Sequence, residues 1–138
     1  MLNLNINWEV LLFKKLKAYN VNIFSYVPDA GHKYLIKKSL NDSQINSIPL
    51  TSEQEGVGIS VGAYLGGERS VLLMQSSGVG NCVNQFSLIS HGNFPFLTII
   101  SMRGERGENN PWQIPMGKAV STVLNSMKIE SVLIKSDN

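Results

Sequence analysis

Apolar positions recur with helical spacing at the start of the chain and with strand-like spacing after it. From Trp8 to Tyr19 they fall at offsets of three, four, eight and eleven, which predicts a helix that Asn7 caps and Asn20 ends. A β-rich run at 21–27 follows and is broken by a Pro-Asp-Ala-Gly sequence at 28–31. The pattern then predicts a short helix at 32–40 and a short strand at 45–50.

The second half of the chain continues this alternation. Ser52 and Glu55 have capping-box spacing at the start of a helix that runs to about Leu65, where two glycines stop it. The later segments are predicted as a strand at 70–75, a turn at 76–81, a helix at 81–90, a strand at 94–102 buried on both faces, a polar loop at 103–115, a helix at 118–127 and a strand at 130–135. Strands that alternate with helices predict a single three-layer α/β domain, with a mostly parallel sheet and helices on both faces.

Composition and charge narrow the classes of protein. The 138 residues suit one domain, and 12 basic against 10 acidic side chains exclude a strongly cationic nucleic-acid binder. Charged residues make up only 16%, so part of the surface is expected to be a protein interface. One cysteine, Cys82, and two histidines exclude a disulfide framework and a Cys/His zinc motif, so we expect no metal site. With no bilayer-length apolar run and no signal-peptide pattern, we expect a cytoplasmic protein that binds no membrane.

The helix that begins at Glu53 has an unusual interior. It contains Gly56, Gly58 and Gly62, and each glycine costs about 1 kcal/mol relative to alanine in a helix. This composition predicts close packing against another backbone or a ligand. Glu53 itself has two interpretations, because an acid at a helix N-terminus is also favoured by the helix dipole alone.

Ligands of open α/β sheets bind beyond the carboxyl ends of the strands. The sequence places the 28–32 segment, the 76–81 turn and the loop from Arg103 there, together with Glu53. The glycine turn is either a phosphate cradle at a helix N-terminus or an ordinary connection. His32 is expected at the surface or as a cap. Arg103 and Arg106 belong either to a solvated loop or to a site for an anionic group.

Three features in this order resemble a known family. They are Glu53 at the start of a glycine-rich helix, the sequence Gln-Ser-Ser-Gly-Val-Gly-Asn at 75–81, and a strand that leads to Met-Arg-Gly-Glu at 102–105. The chain resembles the pyrimidine-binding domain of thiamine-diphosphate enzymes, with the sulfopyruvate and phosphonopyruvate decarboxylases as the closer match. The resemblance extends over roughly residues 8–135. It implies that residues 1–138 form one pyrimidine-type thiamine-diphosphate-binding domain.

The resemblance also implies roles for particular residues. The Glu53 carboxyl group would bond the pyrimidine ring nitrogen of thiamine diphosphate and promote proton removal from its thiazolium carbon, work that requires a dry site. Asp29 would be a second catalytic acid, which either orients the substrate or handles a proton. The implied cofactor contacts are Ser77, Gly78, Val79 and Asn81, and the implied substrate contacts are His32, Arg103 and Arg106.

One motif of that family is absent. Its members bind Mg²⁺ and the diphosphate through a Gly-Asp-Gly segment, but the only aspartates here are Asp29, Asp42 and Asp137, and none follows a glycine. We therefore expect either a fragment of a longer chain or, more naturally, an alpha subunit. In the second case a beta subunit holds Mg²⁺ and the diphosphate in a hetero-oligomer of two alpha and two beta subunits or more.

The implied activity is decarboxylation of a small anionic 2-oxo acid. Sulfopyruvate, which gives sulfoacetaldehyde and carbon dioxide, is expected ahead of phosphonopyruvate. The same subunit architecture would also serve another 2-oxo acid decarboxylase or a carboligase. A non-catalytic α/β binding module is the alternative outside the enzymes.

Overall fold

The computed structural model describes residues 7–134, which form a parallel four-stranded sheet between two layers of helices. The strands run in the order β2-β1-β3-β4, and all neighbouring pairs are parallel. No helix in the described range is long and apolar enough to cross a membrane. The strands are β1 (Val21–Tyr26), β2 (Asn46–Pro49), β3 (Arg69–Gln75) and β4 (Thr98–Ser101), and the helices are α1 (Trp8–Ala18), α2 (Lys33–Leu40), α3 (Glu53–Leu65), α4 (Ser76–Cys82), α5 (Phe86–Gly92) and α6 (Ile114–Ser126).

Two separate hydrophobic clusters cover the two faces of the sheet. One contains Leu16 of α1 and Leu35 of α2, packed against Phe24 of β1. The other contains buried side chains of α3, α4, α5 and α6, packed against Leu72 and Met74 of β3. Side chains of β3 alternate between the two clusters, as the pleat of a strand requires. The predicted three-layer α/β domain is confirmed.

The residues around the glycine turn form a helix instead. Residues 76–82 make up α4, and the helix predicted at 81–90 is divided, with α5 beginning only at Phe86. The prediction of a turn was wrong because it relied on the low helix propensity of glycine. In the folded chain Gly78 and Val79 are buried against neighbouring elements, and this tertiary packing outweighs the local preference.

The C-terminal third also differs from its prediction. Only Thr98–Ser101 of the strand expected at 94–102 pairs with β3, and its side chains are half-buried because it is an edge strand. Helix α6 begins at Ile114, four residues early, because Pro115 fits a first helical turn where its missing N–H costs nothing. In the strand expected at 130–135, residues 130–134 are unpaired and exposed, and Lys135 lies outside the described residues.

Two predicted helix caps had different outcomes. Asn7 caps α1 as expected, with its Oδ1 accepting a hydrogen bond from the Glu9 backbone N–H at 3.0 Å. The capping box of α3 was wrong in its detail, since the Ser52 side chain makes no capping bond within the described chain. Glu55 instead accepts from the backbone N–H of Thr51 at 3.0 Å, one residue earlier than a capping box requires.

The glycines of α3 lie on two different faces of the helix, one against the sheet and one on the outside. A side chain on Gly56 would collide with Leu72 and Leu50, so this glycine allows α3 to lie directly on the sheet. At Gly58 and Gly62, by contrast, no atom of the described chain other than the nearby backbone of α3 itself lies within 4 Å of where a Cβ would stand. These two positions are one helical turn apart. They leave a flat strip of backbone on the outer side of α3.

Candidate functional site

The strand order brings the predicted site residues to one edge of the sheet. The chain runs outward from β1 to β2 and then crosses to β3 on the other side of β1, so the order reverses between β1 and β3. Such a reversal leaves a crevice beyond the carboxyl ends of the two strands, where open α/β sheets bind ligands. Asp29 follows β1, α4 follows β3, and Arg103 follows β4 at the same edge.

Glu53 is a buried carboxylate at the start of α3. Its side chain is held in place, since the residue is only 6% exposed and Oε2 accepts a hydrogen bond from Asn81 Nδ2 at 2.8 Å. No side chain or backbone group in residues 7–134 donates a hydrogen bond to the other oxygen, Oε1. The site therefore presents a fixed carboxyl group with one oxygen available to a ligand.

Gly78 lies directly against this carboxyl group. A Cβ at position 78 would stand 2.6 Å from Cγ of Glu53 and 2.7 Å from Oε1, closer than atoms can approach. The conformation of Glu53 seen here thus requires glycine at that position. The family resemblance implied Glu53 and Gly78 as separate cofactor contacts, whereas the structure shows them touching each other.

The other predicted cofactor contacts have different environments. Ser77 is partly exposed on α4, and Asn81 is exposed although its amide reaches Glu53. The side chain of Val79 is fully buried in the hydrophobic cluster that includes Val57 of α3. Only the backbone of Val79 is left to contact a ligand.

Cys82, the last residue of α4, is a buried cysteine whose thiol is influenced by the charge of Glu53. Burial and, to a smaller extent, the nearby charge of Glu53 raise the pKa of its thiol to about 12. The side chain is fully buried in the core. It is thus a neutral core residue rather than a nucleophile.

We expect the Cys82 thiol to resist iodoacetamide in the folded protein at about pH 8, where an ordinary exposed cysteine reacts readily because its pKa is about 8.5. Mass spectrometry before and after denaturation in guanidinium chloride measures this, with the denatured chain as the control that alkylates. Rapid alkylation of the native protein would contradict the buried placement.

A second group of side chains surrounds Asp29, whose carboxylate is 4% exposed. Oδ1 accepts a hydrogen bond from Arg103 Nη2 at 2.8 Å. Oδ2 accepts from Ser101 Oγ at 2.6 Å and from the Gly31 backbone N–H at 3.0 Å. Burial alone would raise the pKa of Asp29, but the hydrogen bonds from Ser101 and Arg103, with the positive charge of Arg103, hold that pKa below its usual range. Asp29 is therefore ionised and holds the Arg103 guanidinium in place.

Arg103 is held at both its backbone and its side chain. Its backbone N–H donates to Ser76 Oγ at 3.1 Å, and its guanidinium donates to Asp29. A Cβ on Gly117 would overlap the carbonyl oxygen of Arg103, so α6 also packs tightly against this segment. Although the side chain is 33% exposed, its Nε is buried and has no hydrogen-bond partner among the described residues.

The two remaining predicted substrate residues occupy different positions. His32 is 1% exposed, so the expectation of a surface residue was wrong. It stands at the N-cap position of α2, but its side chain makes no capping bond. Its Nε2 lies 3.0 Å from the carbonyl oxygen of Met74, while Nδ1 is buried without a partner in the described chain. Arg106 lies exposed in the loop after β4. Within residues 7–134, no three His, Cys, Asp or Glu side chains come together as metal ligands.

Ser76 and Ser101 belong to this site but were not singled out from the sequence. Each is a hydroxyl residue at or directly after the end of a strand, and each holds a charged residue. Ser76 accepts a hydrogen bond from the Arg103 backbone N–H, and Ser101 donates one to the Asp29 carboxylate. Ser101 interrupts the apolar run at 94–102, and that polar break at the carboxyl end of a strand was the available signal.

This three-layer α/β domain has a buried glutamate and an ion pair at the crevice where the strand order reverses. That combination is typical of the class of ligand-binding α/β domains. Relatives make the assignment specific. The chain is 41% identical over 122 residues to sulfopyruvate decarboxylase subunit alpha of Methanocaldococcus jannaschii, an alignment of 88% of this chain and 72% of that protein. It is 38% identical to the protein of the same name in Methanococcus maripaludis, covering 90% and 75%.

The chain therefore belongs to the family of sulfopyruvate decarboxylase alpha subunits. A more distant relative is phosphonopyruvate decarboxylase of Streptomyces viridochromogenes, 29% identical over 86% of this chain but only 30% of that longer protein. No protein-family model matches the sequence.

Proposed function

We propose that this chain is the alpha subunit of a thiamine-diphosphate-dependent sulfopyruvate decarboxylase and supplies the pyrimidine-binding half of its active site. The observation that carries the proposal is the Glu53 carboxyl group, buried at the reversal crevice with Oε1 available. Membership of the family of sulfopyruvate decarboxylase alpha subunits supports the substrate.

The residues of this crevice fit the pyrimidine end of such a cofactor. In this proposal Oε1 of Glu53 would bond a ring nitrogen and exchange a proton with it, and the Asn81 amide, which bonds Oε2, would keep the carboxyl group from turning. The absence of a side chain at Gly78 leaves room for the carboxyl group at this point. When bound, thiamine diphosphate would supply the electron sink that decarboxylation of a 2-oxo acid requires.

For the substrate, we propose recognition by the loop after β4. Arg103 has unused donors and one third of its side chain is exposed, so it suits an oxyanion of a 2-oxo acid. Arg106 is exposed on the same loop and is proposed as a second contact. His32 is not proposed as a substrate contact, because its Nδ1 is buried and its Nε2 faces the Met74 carbonyl.

A beta subunit is proposed to hold Mg²⁺ and the diphosphate in a hetero-oligomer. The missing Gly-Asp-Gly segment and the subunit names of the relatives support this. The described chain also exposes large apolar side chains, among them Tyr64, Leu65 and Trp112. Tyr64 and Leu65 end α3, so we place the interface along the outer strip of α3 at Gly58 and Gly62.

Replacing Gly62 by alanine should affect the chain and the complex in opposite directions. Alanine improves helix propensity, so the free energy of unfolding of the purified chain should rise by about 0.5–1 kcal/mol. A methyl group in a closely packed interface should weaken assembly by about 1–3 kcal/mol, the usual cost of overpacking. Thermal unfolding and titration with the partner subunit measure the two effects.

Ser121→Ala on the exposed side of α6 is the matched control for helix propensity. It should leave assembly unchanged. If Gly62→Ala binds the partner subunit with unaltered affinity, the outer strip of α3 is not part of the interface.

Carbon dioxide release in the presence of thiamine diphosphate and Mg²⁺ tests the proposed function. The complex that this chain forms in its native host should release carbon dioxide fastest from sulfopyruvate, and the isolated chain should release none. A complex without cofactor-dependent release from any 2-oxo acid would favour the non-catalytic module. Carbon–carbon bond formation in place of release would indicate a carboligase.

Phosphonopyruvate is the second candidate substrate, because a phosphonopyruvate decarboxylase is among the relatives. Its phosphonate carries oxygen acceptors as a sulfonate does, so an arginine fork can bind either group. The same assay compares both substrates. A higher kcat/KM for phosphonopyruvate would replace sulfopyruvate in the assignment.

A further inference from the structure

We propose that Asp29 is a positioning residue that fixes the Arg103 guanidinium for an oxyanion of the substrate, and is not a proton carrier. The inference rests on the proposed function and deepens it. Three hydrogen bonds together occupy both oxygens of the Asp29 carboxylate. Asp29 receives these bonds from Ser101, Gly31 and Arg103 at 2.6, 3.0 and 2.8 Å.

These bonds leave Asp29 badly placed to transfer a proton. Each oxygen already accepts from a donor within the chain, and a proton on Oδ1 would stand against the N–H of Arg103. The carboxylate also has almost no exposed surface from which to reach a substrate. Asp29 can therefore influence a bound substrate only through the groups that it holds, and of these Arg103 is the one with donors to spare.

Arg103 carries five N–H donors in a rigid plane, and the contact with Asp29 uses one of them. Its Nε is enclosed without an acceptor among the described residues. Leaving a buried donor in that state is unfavourable, so the site favours a ligand that brings an acceptor. A carboxylate or sulfonate supplies paired oxygens that match the guanidinium fork.

Asp29 also changes how Arg103 recognises an anion. The negative charge of Asp29 offsets the positive charge of the guanidinium. The general attraction of Arg103 for anions is therefore reduced, and directed hydrogen bonds decide which anion binds. A long side chain held in one rotamer also loses less entropy when a ligand binds. The pair therefore acts as a preorganised fork rather than as a loose positive charge.

The test uses Asp29→Asn, Arg103→Gln and the double variant, each in the complex with the partner subunit. Asp29→Asn should raise KM for sulfopyruvate by about tenfold, leave kcat within about threefold and leave the pH dependence of kcat unchanged. In the Arg103→Gln background the same change should have no further effect, because Asp29 acts through Arg103. Asp42→Asn, which removes another aspartate paired with a cation, is the matched control.

Pyruvate separates the two sources of the oxyanion. It lacks the sulfonate, so an effect confined to sulfopyruvate assigns Arg103 to the sulfonate. An equal effect on both substrates assigns it to the carboxylate. Ser101→Ala, which removes a single donor to Asp29, should give a smaller increase in KM and provides a second variant if Asp29→Asn does not assemble.

Three outcomes would overturn the proposal. They are a loss of kcat of about 10²-fold in Asp29→Asn with a shifted pH profile, an undiminished effect in the Arg103→Gln background, and no effect at all. Calorimetric binding of the unreactive 3-sulfopropanoate to the complex separates this inference from the proposed function. If sulfopyruvate is not decarboxylated, weaker binding in both single variants still supports the Asp29–Arg103 pair, and no binding to the unaltered complex refutes it.

Discussion

Replacing Glu53 by glutamine is expected to lower kcat of the assembled decarboxylase by at least about 10²-fold, the usual contribution of an acid–base group. Glutamine keeps the length and shape of the side chain, and its amide oxygen can still accept from Asn81. It removes only the ability to exchange a proton at Oε1. The loss should therefore appear in kcat, measured as carbon dioxide release at saturating sulfopyruvate and thiamine diphosphate.

Glu55→Gln is the matched control for this change. Glu55 lies in the same helical turn, is exposed, and bonds only the Thr51 backbone in the described chain. It should cost a few tenths of a kcal/mol of stability as a cap residue and leave turnover unchanged. Normal turnover in the Glu53→Gln complex would show that Glu53 takes no part in the reaction.

Replacing Gly78 by alanine should also reduce kcat strongly, by about 10²-fold, although no ionisable group is altered. The new Cβ would stand 2.6–2.7 Å from Cγ, Cδ and Oε1 of Glu53, so the carboxyl group must move by the order of 1 Å. A displacement of that size in a reacting group costs about 10²-fold in rate. Steady-state kinetics of the complex, with circular dichroism to show that α4 is intact, measure the effect.

Gly80→Ala separates this displacement from the general effect of alanine in α4. A Cβ at Gly80 would meet only the Met116 side chain, whose Sδ stands 3.1 Å away at its flexible end. The two variants gain the same helix propensity, yet only Gly78→Ala should lose turnover. Equal kinetics in Gly78→Ala and Gly80→Ala would contradict the proposed contact between Gly78 and the reactive carboxyl group.

The sequence allowed the frame of the fold to be predicted, because local signals there agree with the tertiary structure. Asn7 marks the start of α1, and α3 begins at Glu53 and ends before Gly66. The position of Glu53, Asp29 and Arg103 at strand ends follows from the same alternation of strands and helices. What the pattern could not provide was which of these side chains touch one another.

Tertiary contacts decide the parts that local rules missed. Helix α4 contains two glycines, so propensity argues against it, and its packing against α3, α6 and β3 explains why it forms. The bond between Asp29 and Arg103 joins residues 74 positions apart and depends on the order of β1, β3 and β4 in the sheet. The burial of His32 likewise depends on β3, whose Met74 carbonyl it contacts.

We propose that Glu53 activates a cofactor that this chain holds jointly with another subunit. The most direct measurement is the rate of deuterium exchange at the thiazolium C2 of thiamine diphosphate, followed by quenched-flow NMR. Exchange should be fast in the complex, slower by at least about 10²-fold in the Glu53→Gln complex, and not accelerated by the isolated chain. Equally fast exchange in the unaltered and Glu53→Gln complexes would show that Glu53 does not activate the cofactor.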